Sequence, residues 1–159
     1  MDMQKNEAIP AIGDHWSGQG GVYAGTVPAR GGAAAYHLVI GNGQGRLTWG
    51  PYDEISSATD LEDGLANTQS LITQPDNHPA AQAAAAYVGD SHNDFYLPAV
   101  AELELIWNSL GSQDFGWVWS SSQHSAFSGY IFNFDDGTHS GYDKGLFLLV
   151  LPVRRVLWD

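Results

Sequence analysis

Hydrophobic positions recur along this chain in two periods, and the change from one to the other marks its elements. Val22-Tyr23-Ala24-Gly25-Thr26-Val27 and Ala35-Tyr36-His37-Leu38-Val39-Ile40 are β-rich runs on either side of the turn Arg30-Gly31-Gly32. Two such runs around a glycine-rich turn predict a hairpin. Gly18-Gln19-Gly20-Gly21 precedes it as a turn, Pro28 stops the first run, Gly41 to Gly45 ends the second, and Leu47-Thr48-Trp49 makes a short third strand. Residues 50–78 lack strong periodicity. Within them Asp60 to Gly64 reads as a turn and Asn67 to Ile72 as one or two helical turns.

Pro79 suits the first position of a helix through Ala80 to Val88, the run of highest helix propensity, which Gly89 stops. Its alanines permit close approach to a sheet. Pro98 opens a second helix in which Val100, Leu103, Leu105, Ile106, Trp107 and Leu110 fall at 3/4 spacing, with Glu102 and Glu104 outside the apolar stripe and Gly111 at the end. Those glutamates suit the positive end of the helix dipole. Beyond Gly116 the period becomes two. Trp117 to Ser120 reads as a strand and Ser121 to Gly129 as a polar loop. Tyr130, Phe132 and Phe134 share one face of the next strand. Asp135-Asp136-Gly137 is a hairpin turn, 138–145 a polar stretch, and Leu146 to Val153 one long last strand. The expected order is hairpin, helix, helix, then three or four antiparallel strands, an α+β domain. Residues 1–15 read as an arm and 16–159 as a single domain, with the hairpin region at 16–50 and the core at 51–159.

Acidic residues outnumber basic ones 18 to 6, for a net charge of −12. That field repels phosphate backbones, so no nucleic-acid partner is expected. Charged residues are only 15% of the chain, while glycine reaches 19 and tryptophan 6 of 159. This describes a turn-rich, aromatic-cored fold rather than a disordered acidic tail. Trp107, Trp117, Trp119, Tyr130, Phe132 and Phe134 are the expected core aromatics. Cysteine is absent, which removes disulfides, thiolate metal sites and a cysteine nucleophile. The longest apolar stretch, Leu146 to Val153, is far short of a membrane-spanning helix, and no membrane insertion is expected. Met1 to Glu7 has one lysine and no apolar stretch, so no secretory signal is expected there.

Candidate chemistry is sparse. His15, His37, His78, His92, His124 and His139 form no H-x-H or H-x-x-x-H pair, so no metal is expected. Asp135 to His139 lacks the alternating oxygens and final glutamate of an EF-hand loop. Ser120, Ser121 or Ser122 with His124 and Asp143 would make a triad on paper, but no G-x-S-x-G elbow is present. The pairs Asp135/Asp136 and Glu102/Glu104 point apart. No enzyme activity and no cofactor are expected. Exposed aromatics among Asn, Gln and Ser match the composition of a recognition surface. Gln123, His124, Phe127, Ile131, Asn133, His139, Tyr142, Asp143 and Lys144 are therefore the expected ligand contacts, on the loops and solvent face of the last sheet. Arg154 and Arg155 are expected to pair with acidic neighbours near the sheet edge.

Several segments, in order, resemble one family. Tyr96-Leu97-Pro98-Ala99-Val100-Ala101-Glu102-Leu103 resembles the W-x-L-P-T-x-x-E-L segment of DUF1566 (Lcl C-terminal) domains. Trp119-Ser120-Ser121-Ser122 is similar to their W-S-S strand end, and Asn133-Phe134-Asp135-Asp136-Gly137 to their N-F-x-D-G turn. Pro152-Val153-Arg154-Arg155 is similar to the terminal x-V-R-x-V-R strand, and Asp63-Gly64-Leu65-Ala66-Asn67-Thr68 to a D-G-x-x-N-T piece of phage-encoded members. The resemblance implies a C-type-lectin-like fold: two helices flanking a small twisted antiparallel sheet, here preceded by the N-terminal hairpin. It implies a non-enzymatic phage tail module, located on the virion and made in the host cytoplasm, that binds a host surface protein or glycan. The alternative is a structural virion protein binding only other virion proteins. A homo-oligomer such as a trimer, organised by residues 1–30, would supply avidity. Two departures narrow this. The cysteine-dependent oxidase members are excluded, and the one lectin-like sugar motif, Gln74-Pro75-Asp76, lies ahead of both expected helices.

Overall fold

The computed structural model describes residues 8–30 and 32–157. Met1 to Glu7 of the expected arm, with the reading of that segment as lacking a secretory signal, lie outside the described residues, as do Gly31 of the expected turn and Trp158. The described chain is α+β, with three helices and two sheets. The strands are β1 His15–Trp16, β2 Gly21–Val27, β3 Tyr36–Ile40, β4 Arg46–Leu47, β5 Trp117–Gln123, β6 Ser128–Asn133, β7 Thr138–Asp143, β8 Leu148–Leu149 and β9 Val153–Leu157. The helices are α1 Gly64–Thr73, α2 Pro79–Ala86 and α3 Val100–Leu110.

The first sheet has the order β1-β2-β3-β9, so the expected hairpin β2–β3 forms and the carboxy-terminal strand closes against it. The second sheet has the order β4-β8-β5-β6-β7, antiparallel except where β5 meets β8. Its central strands are covered on both faces because their side chains alternate. Val118 and Phe132 join Ala24, Leu38, Leu103, Ile106 and Val153 in a core between α3 and the two sheets. Trp119 and Ile131 point the other way, into a second core with Trp49, Leu71, Val150 and the alanines of α1's neighbour α2. Ala80, Ala81 and Ala84 are fully buried there, the close approach that an alanine helix allows.

Several expectations change, among them the loop expected from Ser121, whose first residues to Gln123 continue β5. The turn at Asp60 to Gly64 is the entry to a third helix: Asp63 Oδ1 accepts from Ala66 N at 3.0 Å and caps α1. The polar stretch after Gly137 is a strand, β7, whose ladder bonds to β6 need no apolar residues. The expected single strand Leu146 to Val153 is two. Pro152 has no N–H for a ladder, and from Val153 the chain pairs with the first sheet, with a bridge to Tyr96. Glu102, placed outside the apolar stripe, is fully buried. Of the six expected core aromatics, Trp119, Phe132 and Phe134 are buried. Trp107 and Tyr130 are half-buried, and Trp117, at the start of β5, is 39% exposed.

Candidate binding surface

Three loops meet at one end of the second sheet: 50–57, 124–127 and 144–147. Their backbones are laced together. Asp53 N and Glu54 N donate to Ala126 O at 3.0 and 3.2 Å, Lys144 N to Phe127 O at 3.0 Å, and Trp49 N to Lys144 O at 3.0 Å. Beneath them lies a buried polar anchor. Lys144 is 1% exposed. Its Nζ donates to Glu54 O at 2.7 Å and Gln123 Oε1 at 2.8 Å, and sits 4.8 Å over the Trp49 ring. Trp49 Nε1 donates to Ser120 O, and Gln123 Oε1 also accepts from Ser56 N at 2.9 Å. Burial pushes the ammonium below its usual range, opposed by the Glu54 carboxylate. A cation with two carbonyl acceptors and a ring face is held in one position, and it carries the loops with it.

Outside this anchor the loops display large apolar side chains. Tyr52 is 58%, Ile55 76% and Phe127 48% exposed, and the Tyr52 and Phe127 rings are in contact, tilted at 47° with centroids 5.2 Å apart. Exposed aromatics on fixed loops have little conformational freedom left to lose on binding. Between Tyr52 and Ile55, Asp53 holds a left-handed backbone at φ 66°, uncommon for a residue with a side chain. The neighbouring Asp76 carboxyl pushes Glu54 above the usual carboxylate range, and Asp53 adds to the push. His78 is buried below, its ring 5.8 Å from Trp49 and its Nδ1 without a hydrogen-bond partner. Burial pushes its pKa down.

The nine expected contact residues do not form one surface. Gln123, Ile131 and Lys144 are interior: the first and last are the anchor just described, and Ile131 belongs to the second core. Their burial follows from the two-sided covering of the sheet. Phe127 and Asp143 lie at the loop end, Asp143 Oδ1 accepting from Gly145 N. His124 and His139 are exposed and flank Tyr130, at 4.8 and 5.8 Å between rings. Tyr142 packs on Trp117 at 4.9 Å, and Asn133 Oδ1 accepts from Asp135 N within the hairpin turn. Strand alternation puts the His124–Tyr130–His139 group and the Tyr142–Trp117 group on opposite faces. Of the exposed ones, His124 and Phe127 fall in the 124–127 loop and Asp143 at the adjoining end of β7. Sequence reasoning missed Tyr52, Ile55 and their acidic neighbours, since 50–78 has no period. The available signal was large apolar residues set among turn formers in Pro51-Tyr52-Asp53-Glu54-Ile55.

A second concentration of charge is internal. Glu102, at the third position of α3, reaches back to Ala99 N at 2.9 Å and also accepts from Gly64 N at 3.1 Å and from the hydroxyls of Tyr36 and Tyr96, both at 2.6 Å. Arg155 Nη2 lies 3.7 Å from it and 2.9 Å from Asp63, while its Nε donates to Tyr96. Burial pushes the Glu102 carboxyl up, against the pull of these donors. Burial and the adjacent carboxylate hold both phenols well above their usual range, so they remain donors. Every polar atom of Glu102 is satisfied, which is how a buried charge is tolerated. Arg154 likewise pairs with Asp94 at 2.6 Å, so both terminal arginines meet acidic partners as expected.

A cavity of about 740 Å³ lies between the 12–22 segment, the 40–43 and 87–90 turns and the end of α3. Several of its polar groups are engaged: Asp90 Oδ2 accepts from Gly20 N, Tyr87 Oη from Asn42 N, and Gln113 Nε2 donates to Leu110 O. Among the described residues no group of three or more His, Asp or Glu side chains is arranged to hold a metal ion. No described helix is long and apolar enough to cross a membrane. No protein-family model matches the chain, and no curated protein sequence matches it.

Proposed function

We propose that this chain is a non-enzymatic adhesion module of the C-type-lectin-like kind carried on phage tails, and that it holds a host surface component through the loop end of its second sheet. One observation carries the reading: the exposed, mutually packed pair Tyr52 and Phe127 stands on loops locked by a fully buried lysine. Aromatic anchors on a rigid platform, rimmed by polar groups, are the usual energetic centre of a recognition surface. The ordered motifs resembling DUF1566 domains support the phage assignment. Single contacts of this kind are modest, and display in several copies raises avidity by roughly 10²–10⁴.

The test is binding of the multimerised, fluorescently labelled chain to a panel of bacterial cells, read by flow cytometry. Tyr52→Ser with Phe127→Ser abolishes binding while thermal unfolding stays unchanged. His139→Ala with Tyr142→Ala, on the two faces of β7, leaves binding intact. Binding that survives loss of Tyr52 and Phe127 overturns the surface. Absence of binding to every cell, with retention on purified virion proteins, overturns adhesion in favour of a structural virion role.

A further inference from the structure

The apolar patch has a charged setting. Asp53, Glu54, Asp76 and Asp143 are all exposed around Tyr52, Ile55 and Phe127. Asp76 lies close enough to Glu54 to push its carboxyl above the usual range, and Asp53 adds to the push. In 50–57, 124–127 and 143–147 the only lysine or arginine is Lys144. It is buried, and its ammonium is engaged by Glu54 O and Gln123 Oε1. The accessible charge at this end is therefore negative, set within a chain of net charge −12. Like-signed groups close together are costly unless a cation joins them. Such a field repels phosphates, acidic sugars and a second copy of this chain over a Debye length of about 8 Å at physiological salt. A neutral glycan would stack on the rings but leave the carboxylates without a counter-charge.

We infer that the occupant of this surface is a basic protein segment, one that lays an apolar side chain on the Tyr52–Phe127 pair and sets lysine or arginine against Glu54 and Asp76. This rests on the adhesion reading and names its partner class. Charge complementarity of this kind sets partner choice and association rate more than raw affinity. Arginine suits the rings as well, through its flat face.

The experiment uses the full chain and three immobilised probes: a synthetic peptide alternating lysine with phenylalanine and leucine, the same peptide with glutamine for lysine, and neutral mannan. Binding is measured by biolayer interferometry, with cell binding in parallel. The lysine peptide is expected to bind at least about tenfold more tightly than the glutamine peptide, and to weaken by a similar factor between about 50 and 500 mM NaCl. Glu54→Gln with Asp76→Asn removes that preference. Asp135→Asn with Glu104→Gln removes the same charge at the far turn of the β6–β7 hairpin and on α3, and leaves affinity within about twofold. Thermal melting of each variant checks that it folds as wild type does. Equal losses in the two charge variants, equal binding of the two peptides, or mannan binding indifferent to Glu54 and Asp76 overturns the inference. Cell binding lost in the Tyr52/Phe127 variant but kept in the Glu54/Asp76 variant overturns the basic partner and leaves the adhesion surface standing. Cell binding kept in the Tyr52/Phe127 variant overturns that surface itself.

Discussion

Glu102 offers the sharpest perturbation, because two carboxylate oxygens hold four donors in a place water does not reach. In Glu102→Ala the amides of Gly64 and Ala99 lose their acceptor, as do the hydroxyls of Tyr36 and Tyr96. A buried donor left unpaired costs roughly 1–3 kcal/mol. Arg155 loses the counter-charge at 3.7 Å but keeps Asp63 at 2.9 Å. The hydroxyls can turn and water can enter the space, so the costs do not add in full. An expected loss of about 4 kcal/mol falls within the ~3–5 seen on removing one partner of a buried ion pair. That is a large part of the ~5–15 kcal/mol that keeps a domain folded. Glu102→Gln keeps the shape and one accepting oxygen. Because burial disfavours the charge, the neutral amide costs less, about 1–2 kcal/mol.

Urea unfolding followed by tryptophan fluorescence reads both variants, since Trp49 and Trp119 are fully buried reporters. An alanine variant within about 1 kcal/mol of wild type would refute the reasoning, because it would mean that the donors find water freely. The pH dependence carries a second check. A carboxyl raised in the folded state takes up its proton more readily there than in the unfolded chain, whose value is near 4.5. The advantage of wild type over Glu102→Gln is therefore fully present below 4.5 and declines as pH rises through the folded value. A difference that grows with pH would show that the ionised form is the favoured one.

Two further outcomes follow from the loop anchor. Lys144→Met removes the ammonium from Glu54 O and Gln123 Oε1; it lowers stability by roughly 2–3 kcal/mol, and faster amide exchange in 50–57 and 124–127 reports the freed loops. His78, pushed down by burial, resists protonation in the fold. Its share of stability is present above 6.5 and is lost as pH falls from there through the folded value. The difference in urea midpoint between wild type and His78→Leu, followed across that range, isolates it from His37, which burial pushes in the same direction. A difference that is flat with pH refutes a buried neutral imidazole.

Local rules sufficed for the parts of this chain whose causes are local. The β-rich runs around the glycine turn in Val22 to Ile40, proline at the head of α2, the 3/4 stripe of α3 with glycine after it, and the Asp-Asp-Gly turn each act within a few residues. Each stands in the fold close to where the pattern puts it. The acid–arginine pairing of the last strand was legible too, since so few cations face so many carboxylates. Tertiary structure alone decided the rest. Glu102 and Lys144 look like solvent groups because nothing nearby in sequence shows their partners. The acceptors and donors that make their burial tolerable come from Tyr36, Gly64, Tyr96, Glu54 and Gln123, some of them 66 and 90 residues away. The covering of both faces of the second sheet and the departure of Val153 to the first are likewise set by long-range packing. They decided which expected contact residues were interior, and they brought Tyr52 to Phe127 across a segment with no period of its own. A hydrophobic period reports how one element faces its neighbours. Which neighbours those are is fixed only when burial and hydrogen bonding are satisfied for the whole chain at once.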